Sequence, residues 1–364
     1  MPTVSNFGKK SRGYGLFGML RWLLAPLAWL YHLGTALRNY LYTSGYFASH
    51  EFDRLVISVG NLNVGGSGKT PMVEYLISQL SAHHKVATLS RGYGRRSTGF
   101  RKVTREETAE TVGDEPLQMF QKFGHRVSVF VGEDRALAIP AMLAEEPEID
   151  IILLDDAFQH RSVRPQFSIL VTDARKPFYH DFVLPLGRLR EARGGAKRAD
   201  VVVVTKCPDT ATQSWRDERV HEIQRFVGPK PVLFSAVRYS NPVGFQSETW
   251  RTQPIVVVTG IANYHPFLEY VAQHFQVIQH VHFPDHHPFT KADIQKILTA
   301  CRRASGPVNI LTTEKDFARL QVFCQANCFE GVPCFYIPIE MMFVGKDGKV
   351  FDSMLRERVQ ARLS

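Results

Sequence analysis

Short runs of β-branched and other apolar residues alternate with helix-like stretches along most of the chain. Six such runs lie in its first part, at 54–60, 84–92, 127–132, 150–156, 167–174 and 199–206. Because each run is apolar at nearly every position, each has the character of a strand buried on both faces of a sheet. Helix-like stretches lie between several of them, for example at 70–83 and 134–146. This alternation predicts an α/β fold with a mostly parallel, doubly wound sheet.

A second series of apolar runs follows at 254–262, 274–283, 307–316 and 332–340. Because it repeats the same strand-like pattern, it predicts a second, smaller α/β lobe. The stretch between the two series is more polar and contains one helical segment, which is typical of a linker. We therefore expect an N-terminal segment, a first α/β domain, a linker, a second lobe and a C-terminal helix, at 1–50, 51–206, 207–252, 253–345 and 346–364.

The composition is that of an ordinary globular protein. Of the 364 residues, 44% are hydrophobic and 22% are charged, which excludes disorder over large parts of the chain. The formal net charge of +9 favours anionic partners, such as nucleic acid, acidic lipid head groups or phosphorylated small molecules. The five cysteines lack the spacing of a zinc site, so we expect reduced thiols in a cytosolic protein.

The first fifty residues contain basic side chains but neither Asp nor Glu, and residues 14–33 are rich in Leu, Trp, Tyr and Phe. A secretory signal is disfavoured because no small-residue cleavage site follows cleanly. A membrane-spanning helix is disfavoured because Arg21 and Pro26 interrupt the apolar run. A buried pair of helices is a further alternative. An amphipathic segment that lies in a membrane interface, with its basic residues against anionic lipid, fits the pattern best.

A glycine-rich segment, GNLNVGGSGKTPMVEYL (60–76), stands between the first strand-like run and the first helix-like stretch. It resembles a phosphate-binding P-loop, in which backbone N–H groups and a helix N-terminus surround nucleotide phosphates. The strict pattern begins with Gly, but this chain has Asn63, a residue that tolerates left-handed backbone. Lys69 is expected to reach the β- and γ-phosphates, and the Thr70 hydroxyl to hold Mg²⁺. The residues predicted to bind the nucleotide are Asn63, Val64, Gly65, Gly66, Ser67, Gly68, Lys69 and Thr70.

Two adjacent carboxylates, Asp155 and Asp156, end the run IDIILLDD. Carboxylates at the end of a buried strand are costly unless they are paired or bind a cation. We therefore expect them to hold Mg²⁺ beside the P-loop, which predicts binding of Mg-ATP or Mg-GTP; a capping turn is the structural alternative. The later sequence TKCPD (205–209) is similar to the guanine-reading motif of GTPases, but its Asp stands one position too late.

Three further clusters narrow the expected chemistry. The segments SRGYGRRS (90–97) and LPLGRLREARGGAKR (184–198) concentrate arginines that suit phosphate groups. Tyr93 in the first of them suits a sugar face or an acyl chain, while a solvated basic surface is the alternative for both. The segment HFPDHHPF (282–289) places an Asp-His-His run in a turn-rich stretch, which favours proton transfer or metal binding over a purely structural histidine.

Taken in order, these segments resemble the tetraacyldisaccharide 4′-kinases, the lipid A 4′-kinases of Gram-negative bacteria. The segments that carry the resemblance are GNLNVGGSGKTP, LSRGYGR, VGDEP (112–116), GEDR (132–135), LDDAFQHR (154–161), LPLGRLRE (184–191), FPDHHPF (283–289) and TTEKDFARL (312–320). They follow the family's order and cover the chain from about 14 to 345. Each is weak alone, but together they are highly specific. The chain departs from the family at Ala157, where Gly is more usual.

The resemblance implies transfer of the γ-phosphate of ATP to the 4′-hydroxyl of an acylated glucosamine disaccharide 1-phosphate. It also implies two α/β lobes, the first of the P-loop NTPase type, and an N-terminal membrane-associated helix. Asp114 would accept the sugar proton with help from His286, and Asp155 and Asp156 would hold the metal with Thr70. The other implied catalytic residues are Lys69, Arg135, Arg190 and Glu191. The residues implied to contact the lipid substrate are Arg91, Gly92, Tyr93, Gly94, Gln159 and His160.

These implications extend to partners and location. We expect a monomer on the cytoplasmic face of the bacterial inner membrane, with ATP and Mg²⁺ as cofactors. The expected partners are the acylated disaccharide lipid and the membrane surface, and not nucleic acid. One rival is a P-loop GTPase or metallochaperone with a histidine metal site. Another is a non-enzymatic, ATPase-like module that binds membranes or nucleic acid through its basic stretches. Neither rival accounts for Asp114, the basic loops and the N-terminal segment together, and the segment TTEKD has no assigned role.

Overall fold

A computed structural model describes residues 22–245 and 249–363 of the chain. The expected N-terminal basic cluster and the start of the amphipathic segment, residues 1–21, lie outside these ranges. The strands, in chain order, are β1 (Leu55–Gly60), β2 (Val86–Ser90), β3 (Arg101–Lys102), β4 (Ser128–Val131), β5 (Ile151–Asp155), β6 (Phe167–Asp173), β7 (Val201–Thr205), β8 (Val232–Tyr239), β9 (Val243–Gly244), β10 (Ile255–Thr259), β11 (Val277–His282), β12 (Asn309–Thr313), β13 (Cys334–Ile337) and β14 (Ile339–Phe343).

The larger sheet forms the first lobe. Over the described ranges its nine strands have the order β14-β8-β7-β6-β1-β5-β2-β4-β3, parallel from β8 to β4 and antiparallel at both edges. Every residue of β1, β5 and β7 is buried, as their continuous apolar runs predict. Because parallel strands end at the same edge, the loops that follow β1 and its neighbours β5 and β6 meet there. That edge carries the P-loop and the paired carboxylates.

The helices cover the faces of both sheets. In chain order they are α1 (Ala25–Thr43), α2 (Lys69–Leu80), α3 (Ala109–Val112), α4 (Asp114–Phe123), α5 (Arg135–Glu145), α6 (Gln213–Val227), α7 (His265–His274), α8 (Lys291–Cys301), α9 (Glu314–Gln325) and α10 (Asp347–Leu363). Local chemistry fixes several of their starts. The Asp134 side chain accepts the N–H groups of Ala136 and Leu137 to begin α5, and Thr290 and Asp293 form a capping box at α8.

The smaller sheet forms the second lobe. In the part of the chain that is described, its five strands have the order β11-β10-β12-β13-β9, with β9 antiparallel to its neighbour. All residues of β10 and β12 are buried, and α8 packs Ile294, Ile297 and Leu298 into a separate hydrophobic core. Each lobe therefore has its own hydrophobic core. Because neither lobe depends on the other for its core, the surface between them can be polar.

The structure corrects the expected domain boundaries. The sequence predicts a linker with one helical segment at 207–252; the range contains the helix α6, but it also contains β8, which pairs with β7 in the larger sheet. The sequence places 253–345 in the second lobe, but β14 returns to the larger sheet and pairs with β8. The predicted C-terminal helix is α10, which buries Phe351 and Leu355 in the core of the first lobe. The chain thus leaves the first lobe after β8 and re-enters it at β14.

Helix α1 lies against the first lobe through its polar side chains and leaves an apolar face in solvent. The Tyr31 hydroxyl donates to the carbonyl of Arg190 at 3.0 Å, and the Asn39 amide donates to Glu191 at 2.7 Å. The large apolar side chains that stay exposed on and beside this helix are Trp22, Leu23, Leu24, Leu27, Trp29, Leu30, Tyr31, Leu33, Leu37 and Tyr40. Across the described residues, we find no helix whose length and hydropathy would let it span a membrane.

Candidate active site

The glycine-rich loop between β1 and α2 has the geometry of an anion-binding loop. Gly65 and Gly68 have φ values of +106° and +92°, a backbone region that favours glycine. A Cβ on Gly68 would also come within 3.1 Å of the Thr205 hydroxyl, so a side chain there would crowd Thr205 in addition to straining the backbone. The helix α2 begins at Lys69, and its first N–H groups have no partner inside the helix. The loop and the helix start therefore present donors to an anion.

Side chains from neighbouring strand ends hold this loop from behind. The Thr205 hydroxyl donates to the carbonyl of Ser67 at 2.6 Å. The Lys206 ammonium donates to the carbonyl of Gly66 and pairs with Asp173 at 2.8 Å. Because these donors satisfy the carbonyl oxygens, the N–H groups of the loop are the polar groups left for an anion. The TKCPD segment, which the sequence discounts as a guanine reader, thus supports the loop backbone.

Asp155 and Asp156 lie beside the loop in different electrostatic environments. Asp155 ends β5, is 5% exposed, and has an oxygen, Oδ1, without a hydrogen-bond partner. Burial and the carboxylate of Glu115 raise the pKa of Asp155 to about 7. Asp156 forms a bidentate pair with Arg190, at 2.8 and 2.9 Å, and lies 3.7 Å from the Lys69 ammonium. Burial opposes its ionisation, but these cations keep the pKa of Asp156 below its ordinary value.

The same residues fit a divalent cation. A buried carboxylate oxygen without a partner is unfavourable, and a hard cation with oxygen ligands removes that penalty. The Oδ1 atom of Asp155 is in this situation. Thr70, buried in the first turn of α2, supplies a hydroxyl. Asp156 is occupied by Arg190, so Asp155 and Thr70 are the better placed direct ligands, and a shared role for Asp156 stays a prediction.

The predicted base lies at the contact between the lobes. Asp114 begins α4, and His286 follows β11 in the second lobe. The Nδ1 atom of His286 lies 2.8 Å from Oδ2 of Asp114, and Nε of Arg319 lies 3.5 Å from the same oxygen. The hydrogen bond raises the pKa of His286. Burial opposes ionisation of Asp114, but the hydrogen bond from His286 and the charge of Arg319 hold its pKa below the ordinary value. The arrangement keeps a carboxylate ionised beside a histidine.

Arg135, which the resemblance implies as a phosphate contact, lies beside the end of β5. Its side chain is completely buried. It donates to the carbonyls of Gly132 and Glu133 and lies 3.5 Å from the carbonyl of Asp155. Burial lowers its pKa to about 10. The side chain supports the backbone at the end of β5, and direct contact with phosphate stays a prediction. Arg190, by contrast, faces the carboxylates of the cleft.

Gln159 and Glu191 connect the site to the N-terminal helix. Gln159 donates to the carbonyl of Asn61 at 2.9 Å and to Glu191 at 3.1 Å. Glu191 is 3% exposed and also accepts from Arg198 at 2.6 Å and from Asn39 of α1 at 2.7 Å. Three donors therefore occupy its carboxylate. These contacts give Glu191 an organising role, and its expected catalytic role stays a prediction.

His160 lies among arginines beside this connection. Burial and the charges of Arg135 and Arg91 lower the pKa of His160 to about 4, so it is neutral at pH 7. A neutral imidazole donates and accepts without adding charge. Its contact with the lipid substrate stays a prediction.

The arginine-rich loop after β2 approaches the turn before Asp114. Gly92 has φ +68°, and a Cβ on it would come 2.7 Å from the carbonyl of Val112. Glycine is therefore needed for this close approach. Tyr93 is 81% exposed, and its ring centroid lies 6.2 Å from that of His286. The structure thus brings Tyr93 to the side of the cleft that holds the Asp–His pair, whereas the charge of Arg91, in the same loop, acts on Arg135 and His160. The contacts of Arg91 and Gly94 with the lipid stay a prediction.

A second set of charged contacts between the lobes has no signal in the local sequence. Lys315 pairs with Glu115 at 2.5 Å. Lys122 contacts Glu74 at 2.7 Å and Glu314 at 3.1 Å. Glu314 and Lys315 belong to the TTEKD segment at the start of α9, whereas Glu115 and Lys122 lie on α4. The unassigned segment therefore docks the second lobe on the helix that carries Asp114.

The two histidines of the Asp-His-His run point to different partners. His286 contacts Asp114, while Nε2 of His287 lies 3.0 Å from Oδ2 of Asp293 at the start of α8. Within the described ranges, no group of three or more His, Cys, Asp or Glu side chains could hold a metal ion. The two histidines of the rival hypothesis thus have separate carboxylate partners.

Known proteins are similar to most of the length of this chain. A family model described as tetraacyldisaccharide-1-P 4′-kinase, LpxK, matches residues 20–360. A tetraacyldisaccharide 4′-kinase of Bacteroides thetaiotaomicron is 42% identical over 82% of this chain and 83% of its own length. One of Cytophaga hutchinsonii is 39% identical over 88% of this chain and 91% of its own length.

A solved structure agrees with these matches. The crystal structure of the apo form of LpxK from Aquifex aeolicus in complex with ATP superposes with a TM-score of 0.75. It is 26% identical, and the match covers 94% of this chain and 100% of that one. This similarity confirms the predicted α/β fold. Together, the family match, the relatives and the geometry of the cleft show that the chain belongs to the tetraacyldisaccharide-1-phosphate 4′-kinase family.

Proposed function

We propose that this protein transfers the γ-phosphate of ATP to the 4′-hydroxyl of a tetraacyl glucosamine disaccharide 1-phosphate, a step of lipid A biosynthesis. Family membership supports the reaction. The observation that carries it is the geometry at the start of α4, where Asp114 contacts His286 at 2.8 Å and the next residue, Glu115, pairs with Lys315 at 2.5 Å, close enough for both charges to act on Asp155. The nucleotide side and the base side therefore open on one cleft, as transfer between two bound substrates requires.

Asp114 is proposed to accept the proton of the sugar hydroxyl. Its carboxylate is ionised and is held by His286 at 2.8 Å, so one oxygen is fixed while the other is available to a hydroxyl. A positioned carboxylate of this kind acts as a general base when proton transfer accompanies phosphoryl transfer. His286, whose pKa the same hydrogen bond raises, helps to carry the proton that leaves the sugar.

The opposite side of the cleft neutralises phosphate charge. Lys69 follows the P-loop directly, and Arg190 presents its guanidinium at Asp156 beside it. Phosphoryl transfer depends mainly on positioning and charge neutralisation, which such preorganised cations supply. Asp155 and Thr70, with Asp156 nearby, would hold Mg²⁺, which would supply charge neutralisation at the phosphates. The loop backbone, Lys69 and Arg190 would fix the γ-phosphate opposite Asp114.

The exposed face of α1 suits a lipid substrate that stays in a membrane. Trp22, Leu23 and Trp29 are each more than half exposed, and the helix joins the active site through Tyr31 and Asn39. An apolar helical face of this kind inserts at the boundary between head groups and acyl chains. We infer that a monomer works on the cytoplasmic face of the inner membrane with α1 in that boundary.

The experiment is transfer of labelled γ-phosphate from ATP, with Mg²⁺, to acylated glucosamine disaccharide 1-phosphate in detergent micelles. We expect a labelled lipid with the wild-type protein. Lys69→Ala should abolish the label, because the ammonium that neutralises the transferred phosphate is lost. Arg225→Ala, which removes an exposed cation of α6 that pairs with Glu222, is the matched control and should leave labelling unchanged.

The results of this assay distinguish failure of the lipid assignment from failure of the nucleotide assignment. Hydrolysis of ATP without a labelled lipid would contradict the lipid assignment and leave the nucleotide site standing. A strong preference for GTP would favour the rival GTPase hypothesis. If Lys69→Ala labelled the lipid at the wild-type rate, the proposed role of the P-loop in the reaction would be wrong.

A further inference from the structure

A buried carboxylate in the TTEKD segment holds the backbone that presents His286. Asp316 is 0% exposed. Its Oδ2 accepts the N–H of Gly260 at 2.9 Å and the Thr313 hydroxyl at 2.7 Å. The carbonyl of Gly260 in turn accepts the N–H of His286 at 3.1 Å. A Cβ on Gly260 would come 3.0 Å from Asp316, so the close approach depends on glycine. Asp316 therefore fixes the histidine loop through one shared residue.

Arg319, one helical turn after Asp316, joins this network to the proposed base. Its guanidinium lies 3.1 Å from Asp316 and 3.5 Å from Asp114, and its side chain is 7% exposed. It also donates to the carbonyl of His287 at 3.2 Å and contacts the carbonyl of Gly260 at 3.4 Å. A single buried cation thus touches the base in one lobe and both sides of the histidine loop in the other.

We propose that Arg319, held by Asp316, is a positioning residue that fixes the Asp114 carboxylate against His286 across the lobe interface. The proposal rests on the proposed function, because it gives Arg319 a role only if Asp114 is the base. A guanidinium is suited to this task since its planar fork binds several acceptors at once and stays charged when buried. Loss of the fork would free the carboxylate to rotate away from the sugar hydroxyl.

Charge supplies the second part of the effect. Among the described residues, the charged groups that face Asp114 are His286 and Arg319, which contact it, Lys315, which acts at longer range, and Asp316, which shares Arg319 with it. Glu115 neighbours it on α4 and pairs with Lys315. Because Arg319 lowers the pKa of Asp114, its removal should raise that pKa. The acidic limb of the kcat profile should then move to higher pH, since protonated Asp114 cannot act as a base.

The experiment compares Arg319→Met with Arg319→Lys in the lipid phosphorylation assay, over a pH series and with ATP affinity measured separately. Arg319→Met should lower kcat by about 10- to 100-fold and shift the acidic limb upward by roughly one pH unit. Its Kd for ATP should not change, because the P-loop is untouched. Arg319→Lys keeps the charge without the fork, so it should restore the acidic limb but only part of kcat.

A double-mutant cycle separates positioning from a purely structural role. If Arg319 acts through Asp114, then Asp114→Asn/Arg319→Met should be no slower than Asp114→Asn alone. A further loss in the double variant, or an unshifted acidic limb in Arg319→Met, would overturn the proposal. Arg302→Met, which removes an exposed arginine of the same lobe that pairs with Glu330, is the matched control and should behave as wild type.

Failure of this proposal can be told from failure of the proposed function. If Asp114→Asn keeps wild-type turnover, the base assignment fails and the role of Arg319 fails with it. If Asp114→Asn is inactive while Arg319→Met has wild-type kcat and pH dependence, only the positioning role is overturned. Equal melting temperatures of Arg319→Lys and the wild-type protein would show that the comparison uses folded enzyme.

Discussion

The two sides of the cleft are built in different ways. On the first-lobe side, the P-loop follows β1, while Asp155 and the supporting Thr205 end β5 and β7 of the same sheet, and backbone conformation fixes them. On the second-lobe side, His286 and Lys315 reach Asp114 and Glu115 through side-chain contacts between lobes that have separate cores. The first side is preformed with the sheet, whereas the second side exists only when the lobes are docked.

This difference assigns different kinetic roles to the two sides. A preformed loop binds phosphate whether or not the second lobe is docked, so variants behind the loop should change ATP affinity. The Asp–His pair forms only across the interface, so variants there should change turnover and leave ATP affinity intact. The comparison fails if the two classes of variant have the same kinetic signature.

The largest expected effect is that of Asp114→Asn. The amide keeps the shape of the side chain but cannot accept the sugar proton, so kcat should fall by about 10²- to 10⁴-fold. Kd for ATP should stay at the wild-type value. The measurements are steady-state phosphorylation of the lipid and calorimetric titration with ATP. Weakened ATP binding in this variant would mean that the two sides are not independent.

The first-lobe side of the cleft, whose residues belong to short continuous segments, could be predicted from the sequence. The P-loop, Asp155 and Asp156 are short local patterns that follow apolar runs, and the similarity to the LpxK structure confirms the fold they indicate. The boundary at β14 could not be predicted, because its return to β8 depends on tertiary pairing and not on composition. In the sequence, the apolar run of β14 follows β13 after a single proline, so the sequence predicts it to be part of the second lobe.

The contacts on the second-lobe side could not be predicted from local sequence patterns, because they also depend on tertiary packing. The spacing of Thr313 and Asp316 is a capping signal that indicates the start of α9. Nothing in that spacing identifies Glu115 as the partner of Lys315, since the two residues are far apart in the chain and meet only through lobe docking. The burial of Arg135 likewise depends on how α5 packs, and no local pattern predicts it. Only the family resemblance assigned Arg135 to the active site.

Lys315→Met tests the interface directly. The change leaves Glu115 without its cation beside Asp155 and weakens docking of the second lobe. Because the pair is partly exposed, we expect a loss of about tenfold in kcat, smaller than that of Asp114→Asn. Kd for ATP measured without Mg²⁺ should be unchanged. Lys349→Met, in the first turn of α10, is the control, and an equal loss there would indicate a general charge effect.

Lys206→Met tests the other side of the comparison. The variant removes the donor to the Gly66 carbonyl and the partner of Asp173, so the P-loop loses a support. KM for ATP should rise roughly fivefold while kcat changes little, because a charge-assisted hydrogen bond is lost away from the reacting atoms. Initial rates at varied ATP give both constants. A fall in kcat with unchanged KM would place Lys206 with the catalytic residues and weaken the division proposed above.

The smallest expected effect is on the pH dependence of the free energy of unfolding. It involves the cluster of Glu74, Lys122 and Glu314 between the lobes. Burial raises the pKa of Glu74 to about 7, partly opposed by Lys122. The folded state therefore binds this proton more tightly than the unfolded state, and the corresponding stability is lost as pH rises from about 4.5 to about 7. Glu74→Gln removes this loss, so above pH 7 it should be more stable than the wild type by on the order of 1 kcal/mol.

Denaturant unfolding of both proteins at pH 5 and pH 8 measures this difference. The gain from Glu74→Gln should be present at pH 8 and smaller at pH 5, where the wild-type carboxyl is already protonated. Glu222→Gln on α6, which removes a surface carboxylate paired with Arg225, should show no such trend. Parallel stability curves for Glu74→Gln and the wild type would mean that Glu74 is ionised throughout, with Lys122 fully compensating its burial. Docking of the second side would then rest on a balanced ion cluster, and its sensitivity to pH would have to come from His286.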